Sequence, residues 1–381
     1  MGWWTQGSGT SVSRWFGVLV PGLPQLLGGR VLQGGGALLL WGGLLAVVLG
    51  RFSRVSAALS GGLDEKLALG TLVFGLLGVY RWSFTNSREA RGNGEGGGHG
   101  PPDWRATPGS GARVWRRFRR NRMALGALVI LCALYLVLLL TPFLAPFGPE
   151  FREAYRPGGD MSSILAPPSL IHIMGTDQYS QDVFSRILYG SRISLTIGLA
   201  AVGVSVLLGG LVGAVSGFRG GWTDRVLMRL VDMILAFPRL VLLIAIVALF
   251  PTTVFLVVLA LAFTQWPFTA RLVRGEILTL KEREYAEAAR ALGFSGRRIL
   301  FRHLLRNAAG PIIVVAALGV GNAIILEAGL SFLGLGVQAG TPSWGSMVSQ
   351  GRDFLTDAWW VATFPGLAIV LAVLSFNLVG D

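Results

Sequence analysis

Long apolar runs separated by short polar segments make up most of this chain. The six runs that follow residue 120 approach or exceed the length that a helix needs to cross a bilayer core of about 30 Å, and two earlier runs are near its lower limit. The pattern predicts an all-α polytopic membrane protein with a short two-helix hairpin followed by a six-helix core. The runs are residues 34–50, 68–82, 123–144, 193–215, 226–250, 253–270, 311–332 and 358–379.

Composition supports the membrane assignment and narrows the function classes. The 381 residues are 52% hydrophobic and only 14% charged, with a mean hydropathy of +0.60, which excludes an ordinary soluble globular protein. The net charge of +13 comes almost wholly from arginine. These arginines cluster where apolar runs end, so positive-inside topology explains them better than nucleic-acid binding does. Cys132 lies alone inside an apolar run, and we expect a small packed residue there.

The N-terminal part divides into a membrane hairpin, residues 1–84, and a linker, residues 85–111. Pro21 and Pro24 interrupt the apolar residues 15–27, which predicts an interfacial segment before the two short spans. The linker is rich in Gly, Pro and Ser and predicts a flexible connection to a core at residues 112–381. A block of arginines without acids then fixes the cytoplasmic side before the first long span: Arg113, Arg116, Arg117, Arg119, Arg120 and Arg122.

A polar segment at residues 271–310 returns to the cytoplasmic side and has a clear helical pattern. Good helix formers fill residues 284–292, with acids in the first turn, and Gly293 follows at the place of an αL cap. A helical projection puts Tyr285, Ala288, Ala289 and Leu292 on one face, where small residues would let another protein approach closely. Ser295 is the expected N-cap of a second, arginine-rich helix.

These residues resemble the EAA loop of importer-type ABC permeases. The resemblance rests on Glu287-Ala288-Ala289, on Gly293 four positions later, and on Leu304-Leu305 before an Asn. In that family the loop docks into the ATP-hydrolysing subunit, which implies a coupling role here. Arg306 stands where the family usually has Pro, which affects the local bend. The residues to which the resemblance gives this role are Glu284, Tyr285, Glu287, Ala288, Ala289, Leu292 and Gly293.

A second motif lies in the predicted outer loop, residues 147–191. It resembles the extracytoplasmic loop of the second membrane subunit of dipeptide, oligopeptide and nickel importers, with Ser180-Gln181-Asp182 in place of the usual Gly-Arg-Asp. Asp177 precedes a helical pattern, which favours a turn or cap there over a metal site with His172 and Asp182. The matching residues are Gly175, Thr176, Asp177, Asp182, Ser185, Arg186, Gly190 and Arg192.

Polar residues inside the predicted spans are the remaining candidates. Asn322 and Glu327 lie in the span at residues 311–332 and are candidate residues of the solute path, although Glu327 could instead bond a broken helix end. Asp232 is one turn from Arg229, a spacing that predicts a local ion pair. Pro238 predicts a kink in the span at residues 226–250. Arg239 follows it, and we expect its side chain to extend towards the interface rather than face a solute path.

The resemblance implies a permease subunit in the bacterial cytoplasmic (inner) membrane, with both termini in the cytoplasm. Its implied partners are a homologous permease, two ABC ATPase subunits, an extracytoplasmic solute-binding protein and membrane lipid, but no nucleic acid. The chain has no GxxxxGK[ST] sequence, so ATP and Mg²⁺ are expected on the ATPases, with no catalytic residue, metal or cofactor in this chain.

Three alternatives remain open at this point. The solute could be a di- or oligopeptide, a nickel chelate or another small solute. A membrane-embedded enzyme would need paired catalytic groups, whereas the three histidines lie in the linker, the outer loop and the cytoplasmic loop. A structural or assembly protein would leave the EAA-like loop without a role.

Overall fold

The computed structural model describes residues 42–43, 45–46, 66, 68–73, 121–155, 161–337 and 340–381. The described residues are mostly helical and contain no strand, in agreement with the predicted all-α class. Five helices among them are long and apolar enough to cross a membrane, and a bent helix pair makes six. The six-helix core is therefore confirmed.

Eleven α-helices follow one another from residue 122, and we number them α1 to α11. Single turns of 3₁₀-helix occur at Met161–Ser163 and Arg352–Phe354, and a π-helical stretch, Ile299–Leu304, joins α7 to α8. The helices are α1 Arg122–Leu144, α2 Val183–Arg219, α3 Gly221–Leu235, α4 Arg239–Leu249, α5 Val254–Lys281, α6 Glu284–Ala291, α7 Gly296–Arg298, α8 Leu305–Asn307, α9 Ala309–Phe332, α10 Trp344–Gly351 and α11 Trp360–Gly380.

The chain divides into two units, one of residues 1–112 with 139–146 and one of residues 113–138 with 147–381. In the first unit, residues 42–43 and 45–46 are helical within the first predicted short span, and residues 68–73 are helical within the second. The interfacial segment at 15–27, the linker at 85–111 and the arginines from 113 to 120 lie outside the described residues. The predicted domain boundaries stay predictions.

Helix α2 is longer than the apolar pattern predicted. It begins at Val183, so the outer loop ends at Asp182 and not at residue 191. The reason is local, because the Asp182 carboxylate caps the helix by accepting a hydrogen bond from the Ser185 N–H at 2.8 Å. Helix α5 likewise continues to Lys281, so the first eleven residues of the predicted cytoplasmic loop are helical.

Two further predictions about the spans need correction. The span at 226–250 is broken into α3 and α4, which meet at 82°, a far sharper change than a kink. Proline at 238 explains the break, because its ring prevents the preceding residues from continuing a regular helix. The outer segment before the last span contains α10, which the pattern did not reveal, with a reciprocal capping box between Ser343 and Ser346.

Glycine brings α2 close to its neighbours in the second unit. A Cβ at Gly217 would lie 2.9 Å from the Arg274 carbonyl oxygen of α5, and Gly209 and Gly213 face the same helix just as closely. Gly198 is packed in the same way against Val320 and Ile324 of α9. Gly198, Gly209 and Gly213 thus permit close helix contact, whereas a Cβ at Gly203 or Gly210 would meet nothing within 4 Å, and this difference fixes which side of α2 is buried.

Two side chains lie elsewhere than the sequence predicted. Cys132 is exposed on α1, not packed, because the inward positions of that helix are taken by residues such as Ala127 and Leu131. Asp232 pairs with Arg271 at 2.6 Å and not with Arg229, since α3 packs along α5.

Candidate functional site

Helix α6 is closed by a glycine in the left-handed region. Gly293 has φ +75°, its N–H donates to the Arg290 carbonyl at 2.9 Å, and the Phe294 N–H donates to the Ala289 carbonyl at 3.1 Å. These two bonds form a Schellman motif. The motif needs a positive φ at the position of Gly293, and that conformation is unfavourable for L residues with a side chain. The predicted αL cap at Gly293 is confirmed.

The two faces of α6 differ sharply. Ala286 and Ala289 are buried at 0% and 5% exposure and pack with Val273 and Ile277 of α5. Ala289 therefore belongs to the inward face, and its place in the predicted outward face was wrong. The outward face consists of Glu284, Tyr285, Glu287, Ala288 and Leu292, all exposed.

The segment after α6 packs against α5 and α6 through its apolar residues, and its arginines are exposed. Ser295 is the N-cap residue of α7, as predicted, although its side chain makes no cap bond. Phe294 stacks on the His303 ring with centroids 5.8 Å apart, so His303 has a packing role. Buried apolar residues of the π-helical stretch join α6 to α5, and the exposed arginines are Arg297, Arg298, Arg302 and Arg306.

Hydrogen bonds also tie this segment to the C-terminal ends of α2 and α5. Arg290 donates to the Lys281 carbonyl oxygen, and Lys281 Nζ donates to the Gly217 carbonyl oxygen of α2 at 3.1 Å. Arg274 binds both carboxylate oxygens of Asp224, at 2.6 and 2.7 Å. This bidentate pair was not predictable from the sequence pattern, since the two residues are 50 positions apart in the chain.

In the outer loop, Asp177 organises a tight turn. Its Oδ1 accepts hydrogen bonds from the Tyr179 N–H at 2.9 Å and the Gln181 N–H at 2.8 Å, and its Oδ2 pairs with Arg186 of α2. The predicted turn role of Asp177 is confirmed, while the cap of α2 is Asp182. Gln181 Nε2 donates a hydrogen bond to the Pro149 carbonyl oxygen at 3.1 Å, so the side chain at this position has a partner even though it is not the usual Arg.

His172 lies between two carboxylates. Its Nδ1 is 2.9 Å from Asp182 and its Nε2 is 2.8 Å from Glu153, while the Phe147 ring stacks on the imidazole. Burial disfavours the charged ring, but the hydrogen bonds and charges of Asp182 and Glu153 outweigh it and raise the pKa of His172 above its ordinary value. Both ring nitrogens are thus engaged within the loop.

The other residues of the outer motif also have structural partners. Gly175 has φ +74° and lies so close to Trp360 that a side chain would not fit. Ser185 Oγ accepts from the Phe147 N–H at 3.1 Å, and Arg192 Nε donates to the Leu138 carbonyl at 3.1 Å. Thr176 Oγ1 accepts a hydrogen bond from the Ala166 N–H at 2.8 Å, and Gly190 lies against Trp344. The motif is therefore a scaffold for the outer loop.

The two polar candidates of α9 lie in opposite environments. Glu327 is fully buried, and its carboxylate accepts hydrogen bonds from Ser331 Oγ at 2.9 Å and Ser194 Oγ at 3.2 Å. Ser194 in turn accepts from the Trp344 N–H of α10 at 3.2 Å. Of the two predicted roles of Glu327, this geometry favours structural bonding. Asn322 is exposed on the same helix.

Glu153, Ser194 and Ser331 are structural partners of the candidate residues that the sequence pattern did not reveal. Ser331 had a detectable signal, because it follows Glu327 by four residues and so lies on the same helical face. Glu153 and Ser194 had none, since each meets its partner through a contact between distant segments.

Comparison with known proteins agrees with this geometry. Residues 184–381 match the profile of the binding-protein-dependent transport system inner membrane component family, and residues 110–168 match the N-terminal transmembrane domain of oligopeptide transport permease C.

Individual relatives cover most of both chains. The dipeptide transport system permease protein of Alkalihalophilus pseudofirmus is 39% identical over 74% of this chain and 90% of its own length. The di/tripeptide transport system permease protein of Pseudomonas aeruginosa is 39% identical, over 70% and 88%. The glutathione transport system permease protein of Pectobacterium atrosepticum is 41% identical, over 70% and 87%. This chain therefore belongs to the binding-protein-dependent transport system inner membrane components and is a membrane-spanning permease subunit of an ABC importer.

Proposed function

We propose that this subunit forms half of a translocation pathway for short peptides. Members of its family work with a solute-binding protein and with ATP-hydrolysing subunits. The proposed assembly has one homologous permease beside this chain, two ABC ATPases on the cytoplasmic side and one solute-binding protein outside. Relatives named for dipeptide and di/tripeptide transport support the peptide assignment.

The coupling proposal rests on helix α6, which has one buried face and one exposed face. Its inner face is held by α5 and the π-helical stretch, whereas its outer face presents Tyr285, Ala288 and Leu292 without cover from the described chain. Tyr285 and Leu292 are 38% and 72% exposed, on the side of the molecule where arginines gather. A short apolar face with flanking acids fits a groove on a partner protein.

In this proposal α6, α7, the π-helical stretch and α8 form a coupling segment, residues 284–307, which moves as the ATPases open and close. The buried contacts of Ala286 and Ala289 pass that motion to α5, and the whole core alternates access to a central path. ATP and Mg²⁺ are bound by the ATPases, so this chain contributes no catalytic residue. If residues 284–307 lie in the cytoplasm, α5 runs inward and α9 outward, so α11 ends in the cytoplasm. With the predicted two-span hairpin before α1, the N-terminus lies there too.

Glutathione or another small solute is the second candidate, because relatives at 41% identity are named for glutathione transport. A membrane-embedded enzyme has less support from the geometry. Glu327 is engaged by two serines and Asp232 by Arg271, and these carboxylates lie on different helices.

The test is purification of the tagged complex in mild detergent, followed by an ATPase assay and peptide uptake. We expect a second permease and an ATPase to co-purify, and we expect Glu287→Arg or Gly293→Trp to weaken hydrolysis and uptake while the chain stays inserted. Asp357→Arg is the matched control, since it reverses an exposed carboxylate outside the coupling segment. Normal uptake by both coupling variants would contradict the proposal.

A further inference from the structure

Arg239 is a charged residue within an otherwise apolar helix. It is the first residue of α4, directly after the break at Pro238, and the rest of α4 is aliphatic. Its guanidinium is not extended towards the interface, as we expected from the sequence. Instead, Nη2 donates a hydrogen bond to the Gln265 side-chain oxygen of α5 at 2.9 Å.

Gln265 places this guanidinium near the middle of the membrane. The Gln265 amide and the Val202 side chain both lie against Gly319 of α9, so the three residues are at one level. Val202 is close to the midpoint of the 37-residue α2. At a rise of about 1.5 Å per residue, this level is roughly 25 Å from Arg219 at the cytoplasmic end and roughly 12 Å from Ser194.

No carboxylate neutralises Arg239 within the part of the chain that the structure describes. Arg239 takes part in none of the ion pairs among these residues, and its Nε is buried without a hydrogen-bond partner. Glu327, the other ionisable residue deep in this region, is engaged by Ser194 and Ser331. A cation at mid-membrane depth is costly, and such residues face the bundle interior or a water-filled cavity and mark the paths of solutes and ions.

Asn322 is a second polar residue near this depth, and it lies on the surface of the subunit. It follows Gly319 by one helical turn, about 4.5 Å along α9. Asn322 is exposed, and its exposed neighbours along the helix, Leu318 and Ile325, are aliphatic. If these residues faced lipid, the Asn322 amide and the Arg239 guanidinium would both be poorly solvated, whereas a hydrated path would solvate both.

We propose that Arg239, positioned by Gln265 and close in membrane depth to Asn322, is an anion-selective site on the translocation path. It takes a carboxylate of the passing solute through a charge-assisted hydrogen bond to the guanidinium N–H groups. The inference rests on the proposed importer function, and it adds a residue that determines which solutes cross. A solute with an additional carboxylate crosses faster than its neutral isostere because Arg239 lowers its energy at mid-membrane.

The experiment measures the electrostatic potential at the site without knowledge of the natural solute. In the purified complex in proteoliposomes, Cys132→Ser removes the native thiol and Asn322→Cys supplies a probe. An anionic and a cationic water-soluble thiol reagent of equal size then compete for that cysteine. Arg239→Gln should lower the ratio of anionic to cationic labelling rates by about tenfold, as expected for one charge in a partly hydrated site.

Matched variants separate this effect from misfolding and from general charge. Arg239→Lys keeps the charge and should keep the ratio, and Arg225→Gln removes an exposed arginine of α3 and should leave it unchanged. Co-purification of the ATPases reports that each variant is assembled. An unreactive cysteine, or a ratio that Arg239→Gln does not change, would overturn the proposal. The unchanged ratio is also the result expected if an acid of a second permease neutralises Arg239.

Uptake separates failure of this inference from failure of the importer proposal. Wild-type complex with its solute-binding protein should import Ala-Glu and Ala-Gln, and Arg239→Gln should reduce import of Ala-Glu relative to Ala-Gln. Import of neither dipeptide by the wild type would count against the peptide proposal, and the labelling ratio would still decide the anion site. Equal effects of Arg239→Gln on both dipeptides would contradict selectivity at Arg239.

Discussion

Neighbouring glycines in α2 provide a sharp test of the helix packing. A Cβ added at Gly209 would lie 2.7 Å from Thr269 Cβ and 2.9 Å from the Ala270 nitrogen of α5. A Cβ added at Gly210 would meet nothing within 4 Å. Gly209→Ala and Gly210→Ala therefore make the same chemical change at adjacent positions, with opposite steric consequences.

The expected magnitude follows from these distances. Carbon atoms in contact normally lie about 3.5 to 4 Å apart, so alanine at 209 is roughly 1 Å too close to α5. The closest atoms include backbone and Cβ atoms, which cannot rotate away as the end of a long side chain can. Overpacking of this kind costs about 1 to 3 kcal/mol. Gly210→Ala should stay within about 0.5 kcal/mol of the wild type.

The measurement is the free energy of unfolding of each variant in mixed micelles, from titration with a denaturing detergent. Gly209→Ala should unfold at lower detergent than Gly210→Ala, and ATPase coupling in the assembled complex should fall only for Gly209→Ala. Equal stability of the two variants would refute the orientation of α2 against α5. A loss at Gly210 alone would mean that the opposite side of α2 is packed.

Three further predictions concern the outer loop, α9 and α6. Because its carboxylate partners raise the pKa of His172, the protonated ring stabilises the outer loop below its ordinary pKa of about 6.5, and this stabilisation is lost as the pH rises through the higher folded-state value. Protease resistance of the loop should decrease along that range, and His172→Gln should remove the dependence. Glu327→Ala should destabilise the fold by about 1 to 3 kcal/mol, since it leaves two buried hydroxyls without an acceptor, and Glu327→Gln should cost less in the same detergent titration. Gly293→Ala should cost about 1 kcal/mol from the positive φ and weaken coupling of hydrolysis to uptake, whereas Gly293→Asn, which tolerates that conformation, should retain most of it.

The spans and the caps were predictable because they depend on local sequence. Apolar length located the five long helices, and the Gly293 cap and the Asp177 turn follow from residues within five positions of each other. The break at Pro238 was visible, but its size was not, since 82° depends on how α3 packs along α5.

The orientation of individual side chains needed tertiary information. Ala288 and Ala289 are equally small, so a helical projection could not decide that Ala289 packs against α5 and the π-helical stretch. Gly209 and Gly210 were indistinguishable for the same reason. The bond between Glu153 and His172 joins two segments of an irregular loop, where no periodicity relates the residues. Arg239 was misplaced because its acceptor, Gln265, lies on the next helix.

Helix α5 joins the two ends of the proposed mechanism. Its cytoplasmic part carries Val273 and Ile277, which hold the inner face of α6, and its middle carries Gln265, which holds Arg239. Gln265 and Ile277 are twelve residues apart, roughly 18 Å along one helix. This stretch contains Pro267, but α2 is packed against the same length of α5 through glycines, so a bend at the proline would separate α5 from α2. A displacement of α6 by an ATPase would therefore move α5 as a unit and shift Gln265, so the anion site at Arg239 would differ between the inward-open and outward-open states. Anionic labelling at Asn322→Cys should consequently depend on whether the ATPases hold ATP, and independence from nucleotide would mean that α5 does not carry the motion.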